Sequence, residues 1–176
     1  QFIASGLLTQ ECGLWVSIDD DPQRVRQGID GVTRRFCSAY EEEKQLAFVD
    51  AYSWSSLSVP ENEPFCIAGS LELNQLAGVI SDASFDIGQS IQKKRGGRRL
   101  VDSISSLLVS FELGGVQRFL NQIARTGGAF GGVTTVFVLE EGTVESTTLN
   151  NVKYIMDGGV EFKKEDAQHW CRVSSM

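Results

Sequence analysis

The sequence predicts an α/β fold: a mainly parallel sheet flanked by helices, with a β-hairpin at the C-terminal end. Three observations carry that expectation. Short β-prone runs such as Leu14-Trp15-Val16-Ser17-Ile18 and Val133-Thr134-Thr135-Val136-Phe137 alternate with longer stretches of helical periodicity. Strands separated by helices of roughly ten residues or more form βαβ units, which pair in parallel. The chain has 176 residues, 41% of them hydrophobic and 22% charged, enough to bury one sizeable core.

The elements follow in order. Gln1 to Thr9 reads as the tail of an amphipathic helix, with Phe2, Ile3 and Leu7 on a core face. Glu11-Cys12-Gly13 makes a turn into the first strand, Leu14 to Ile18. Asp19-Asp20-Asp21-Pro22 opens a helix that runs to about Phe36, because Asp21 suits the N-cap and Pro22 the first helical position. Leu46 to Val49 is a second strand, followed by Asp50-Ala51-Tyr52-Ser53-Trp54 and a polar loop with Pro60 and Pro64. Leu71 to Lys94 is helical with an interruption near Asp82 to Asp86, and Arg98 to Ser103 is the third strand. Glu112 to Thr126 is a helix closed by Gly127-Gly128, and Val133 to Leu139 is the fourth strand. A helix near Ser146 to Tyr154 precedes a hairpin of Gly159 to Lys164 and His169 to Ser174. No repeat, low-complexity tract or linker divides the chain, so residues 1–176 read as one domain.

Composition narrows the function classes. The net charge of −7 and pI near 4.8 argue against a whole-surface nucleic-acid binder. No apolar run approaches the roughly 20 residues that span a bilayer, and the start lacks the pattern of a signal peptide. Cys12, Cys37, Cys66 and Cys171 are scattered without a CxxC pair, and His169 is the one histidine. That pattern disfavours zinc and fits free thiols in a reducing cytoplasm.

Chemistry-bearing residues concentrate at strand ends. In parallel sheets, ligands sit at the carboxyl ends of the strands. Asp19, Asp20 and Asp21 follow the first strand, Asp50 the second, Asp102 the third and Glu140-Glu141 the fourth. Any one of these suits a cap or turn. Gathered at one edge they repel, and a cation or proton relieves that repulsion.

The order of these pieces resembles the RecA superfamily of ATPases, most closely its KaiC-like branch. The matching segments are Gln1-Phe2-Ile3, Gly13-Leu14-Trp15-Val16-Ser17-Ile18-Asp19-Asp20-Asp21-Pro22, Asp50-Ala51-Tyr52-Ser53-Trp54, Val101-Asp102-Ser103-Ile104-Ser105 and Gly158-Gly159-Val160-Glu161-Phe162. The resemblance implies an ATP-binding domain that works in a ring or filament of like subunits. It implies that Asp19 and Asp20 fall on the family's acidic pair, one of which orients the attacking water. By the same resemblance Asp102 falls on the Walker B aspartate that holds Mg²⁺, and Glu140 lies where it senses the nucleotide. Glu140-Glu141 equally read as the start of a solvated loop.

The departures are also specific. No Gly-x4-Gly-Lys-Ser/Thr run occurs in the sequence, and the Gly-rich stretch at 127–132 lacks the lysine. In the family that loop and its central strand precede the position of Gln1, and a further basic strand follows that of Met176. The chain therefore reads as truncated at both ends. The acidic pair is Asp rather than Glu, which withdraws each carboxylate by roughly 1.5 Å; errors near 1 Å can cost about 10²-fold.

Other features read as structural. Lys93, Lys94, Arg95, Arg98 and Arg99 precede the Asp102 strand, at the opposite sheet edge from the strand-end carboxylates, where cations suit a helix C-terminus. Tyr52, Trp54 and Phe65 read as core aromatics, and His169 as a surface or packing residue. Two functional readings result: a Mg²⁺-dependent ATP-binding or ATP-hydrolysing domain, and a non-hydrolysing scaffold for regulatory protein assembly.

Overall fold

Four strands, β1 (Cys12–Ser17), β2 (Leu46–Asp50), β3 (Gly97–Asp102) and β4 (Val133–Phe137), pair in parallel in the order β2-β1-β3-β4. The structure is a computed structural model that describes residues 1–55, 62–91, 96–127, 132–165 and 168–175. Contacts divide the chain into two units, Gln1–Glu140 and Glu141–Met176.

In the first unit, register and pleat sort the strand residues onto two faces. Trp15 pairs with Phe48 and Leu100, and Leu100 with Val136, so these share one face. Helices α1 (Phe2–Leu8), α2 (Pro22–Thr33) and α3 (Cys37–Glu42) cover it through Ile3, Leu7, Val25, Ile29 and Tyr40. The alternate residues Leu14, Val16, Val49 and Val101 lie on the other face, under α4 (Leu73–Ile91) and α6 (Leu113–Gly127). Both faces are apolar, as a parallel sheet covered by helices requires. The ladder is unbroken, and among the described residues β4 pairs on its β3 side alone.

Close approach of α1 to the sheet depends on Gly13: a Cβ there would lie 2.8 Å from Ile3 Cγ2. Gly6 likewise leaves the space through which Arg98 passes beneath α1.

Several boundaries differ from expectation. The first strand begins at Cys12, because Cys12 N–H donates to Gly96 O (3.2 Å) and Gly13 N–H to Gln45 O (2.8 Å). Helix α2 stops at Thr33, where Arg34 turns left-handed (φ 56°) and the Thr33 hydroxyl sits by the carbonyls of Ile29 and Arg35. A separate helix, α3, follows. Helix α4 is continuous through Asp82 to Asp86: the Ser84 hydroxyl bonds back to Ile80 O (2.6 Å), and Asp86 pairs with Lys44 (2.7 Å). A further short helix, α5 (Ile104–Ser110), starts directly after β3 with Ser103 as its N-cap.

The second unit comprises α7 (Ser146–Lys153) and the antiparallel hairpin of β5 (Gly158–Glu165) and β6 (Gln168–Ser175). Lys153 pairs with Glu161 (2.9 Å) and Lys163 with Glu141 (3.1 Å). Val160 opposes Val173 and Phe162 opposes Cys171, all exposed. Among the described residues, no helix is long and apolar enough to cross a membrane.

Candidate functional site

Three strand ends meet around Asp102. The Asp102 carbonyl accepts the amides of Ile18 (2.7 Å) and Asp19 (3.2 Å), which stitches the segment after β1 to the last residue of β3. On the other side, Val138 N–H donates to Val101 O and Ile104 N–H to Val138 O, both 2.9 Å. Glu140 N–H then donates to the Ser105 hydroxyl (2.9 Å). Backbone pairing beyond the strands thus brings Asp19, Asp20 and Glu140 around the half-buried Asp102. Its carboxyl is held above the ordinary aspartate range, first by burial and then by the charges of Asp20, Asp19 and Glu140.

The acidic pair is split by its hydrogen bonds. The Ser103 hydroxyl donates to Asp19 Oδ2 (2.5 Å) and the Ser106 hydroxyl to Asp19 Oδ1 (2.5 Å). The Asp20 carboxylate is exposed and accepts no hydrogen bond among the described residues, while its backbone carbonyl takes the Ser17 hydroxyl (2.5 Å). Neither serine was legible as a site residue; the signal was the hydroxyl-rich run Ser103-Ile104-Ser105-Ser106 after a strand-end carboxylate.

The remaining strand-end acids have partners of their own. Asp21 caps α2, accepting from Gln23 N–H (2.9 Å). Asp50 is 1% exposed, and its Oδ1 takes the amides of Tyr52 (2.9 Å) and Ser53 (2.8 Å). It holds the turn after β2. That turn presents Tyr52 and Trp54 outward, 43% and 42% exposed, which corrects the expectation that they pack in the core. Glu141 lies in the second unit, paired with Lys163.

The basic residues occupy the opposite end of the sheet. Arg98 pairs with Glu11 (2.6 Å) and donates to Phe2 O (2.9 Å). Arg99 is 1% exposed, with Nη1 on Ile123 O (2.9 Å) and Nη2 on the Ser84 hydroxyl (3.0 Å). Burial pulls its pKa down to about 10. Lys93, Lys94 and Arg95 lie outside the described residues. His169 is exposed on β6, opposite Lys164.

The donor set around Asp102 consists of hard oxygens, which suits Mg²⁺. Among the described residues no three His, Cys, Asp or Glu side chains are arranged to hold a metal by themselves.

Comparison with known proteins identifies the family and the fold. The family model described as ATPase: KaiC matches residues 1–175. The chain is 31% identical over 143 residues to the UPF0273 protein MK0039 of Methanopyrus kandleri, covering 75% of this chain and 56% of that one. It is 24% identical over 148 residues to a UPF0273 protein of Thermotoga maritima, covering 75% and 58%. The chain therefore spans a little over half the length of these curated relatives. Among solved structures, the uncharacterized protein PH0321 from Pyrococcus horikoshii, in complex with an unknown peptide, superposes with a TM-score of 0.68 at 18% identity, over 98% of this chain and 74% of that one. The KaiC-like protein PH0186 from Pyrococcus horikoshii gives 0.64 at 15% identity, over 99% and 71%. At these identities the two structures speak for the fold, which is RecA-like.

Proposed function

The chain belongs to the KaiC ATPase family, and from that premise we propose that its strand-end carboxylates form the acidic half of a Mg²⁺–ATP site. The observation that carries this reading is the convergence of Asp19, Asp20 and Glu140 on Asp102, produced by backbone hydrogen bonds across three strand ends. Carboxylates turned toward Asp102 repel its charge, and a divalent cation offsets that repulsion.

In this reading Asp102 holds the ion, in part through water, and Glu140 responds to the nucleotide. Mg²⁺, when bound, neutralises charge on the transferring phosphoryl group. Asp19 or Asp20 accepts a hydrogen bond from the attacking water and takes its proton. The water oxygen–phosphorus bond forms as the bond to the ADP oxygen breaks. A neighbouring copy completes the site in a ring or filament, in the cytoplasm.

A second reading has its own support. The acidic pair is Asp rather than Glu, one methylene short of the family pattern. That shortening favours a RecA-like scaffold that assembles with protein partners and does not hydrolyse ATP.

Calorimetry of the full-length protein with ATP and Mg²⁺ separates the two. Binding that requires Mg²⁺ and is lost in Asp102→Ala supports the nucleotide site. No heat of binding sinks it and leaves the scaffold.

A further inference from the structure

We infer that Ser103 and Ser106 are positioning residues that hold the Asp19 carboxylate in one orientation toward the attacking water, which divides the acidic pair into an oriented member and a free one. This rests on the nucleotide-site reading above. Both Asp19 oxygens receive a hydroxyl, at 2.5 Å each, and the donors belong to a different segment, the turn from β3 into α5. The rotamer of Asp19 is therefore set from outside its own loop. Ser103 is itself fixed: it is 3% exposed, and its hydroxyl oxygen accepts from Ser105 N–H (3.3 Å) as the N-cap of α5. Ser106 lies three residues further, on the same side of the first helical turn.

The clamp leaves chemistry available. An ionised carboxylate offers about four lone-pair sites, so two hydroxyls occupy half of them and water can take another. The same holds for the departure from Glu to Asp. A shorter side chain reaches less far, and fixing its direction limits the loss, since effective positioning is worth orders of magnitude in rate. Asp20 has no such support among the described residues: both acids are exposed and both contribute charge toward Asp102, and the two serine hydroxyls reach Asp19.

Ser106→Ala is the cleaner perturbation, because the Ser106 hydroxyl bonds Asp19 while that of Ser103 also caps a helix. The conservative controls are Ser106→Thr and Ser103→Thr, which keep a hydroxyl at each place. The first measurement is the χ1 distribution of Asp19 from three-bond NMR couplings in the nucleotide-free chain. A single rotamer that becomes averaged in Ser106→Ala and returns in Ser106→Thr supports the clamp. A single rotamer in both wild type and Ser106→Ala overturns it.

The second measurement is Mg²⁺-dependent ATP turnover by the full-length protein. We expect Ser106→Ala to lower kcat by about 10- to 100-fold with KM little changed, and Ser106→Thr to recover most of it. Unchanged kcat with an averaged Asp19 overturns the positioning role. A locked Asp19 in a wild-type protein that does not turn over defeats the hydrolysis reading, and the catalytic meaning of the clamp with it.

Discussion

Replacing Arg26 with methionine should destabilise the first unit by about 3–5 kcal/mol. The Arg26 guanidinium sits 4.2 Å over the Phe48 ring and bonds two carboxylates. Nε and Nη2 reach Glu41 at 3.2 and 2.7 Å, and Nη1 and Nη2 reach Glu63 at 2.5 and 3.0 Å. Glu41 keeps water access, with 28% of its side chain exposed, but Glu63 has only 4%. Methionine fills much of the same volume, so the loss is not that of a cavity. It is the cost of leaving the Glu63 charge buried without its cation.

For a chain of this length about 1 kcal/mol moves Tm by roughly 2–4 °C. The expected fall is then roughly 6–20 °C by calorimetry, with a matching drop in urea midpoint. Pairing the change with Glu63→Gln removes the stranded charge and should recover about 2 kcal/mol. A loss under about 1 kcal/mol, or no recovery in the double variant, would show that Arg26 is not there to neutralise Glu63.

Further outcomes follow from the same reasoning. Gly13→Ala should cost about 1–3 kcal/mol, because the new Cβ meets Ile3 Cγ2 at 2.8 Å and Leu46 Cδ1 at 3.2 Å; Gly28→Ala, with nothing within 4 Å, should be neutral or raise stability by up to about 1 kcal/mol in urea unfolding. Asp102→Asn should melt higher than wild type at neutral pH in metal-free buffer, because the Asp102 carboxyl is held above its ordinary range by burial and by Asp20, Asp19 and Glu140. The destabilisation in wild type develops as pH rises through the unfolded aspartate value near 3.9 and is complete above the folded one, so the two curves should converge in acid. Added Mg²⁺ should raise Tm for wild type alone; a shift retained in the variant places the ion elsewhere.

The sequence by itself determined the parallel α/β plan, the strand-end location of the acids and the α2 cap at Asp21-Pro22. These are legible because hydrophobic period and capping are properties of residues within a turn or two of one another. The short helices α3 and α5 escaped that reading, being too brief to show a period of their own. Arg99 read as one of the cations suited to a helix C-terminus, yet α4 and α6 close over it and supply a hydroxyl and a carbonyl. Asp50 looked like a member of the acidic edge, yet it turns inward to hold two amides.

Within the candidate site, sequence placed the carboxylates and only the tertiary structure distinguished them. Asp19 and Asp20 are adjacent and chemically identical. What separates them is a pair of hydroxyls arriving from 84 and 87 positions away in the chain. Strand pairing sets that meeting, and no local pattern records it.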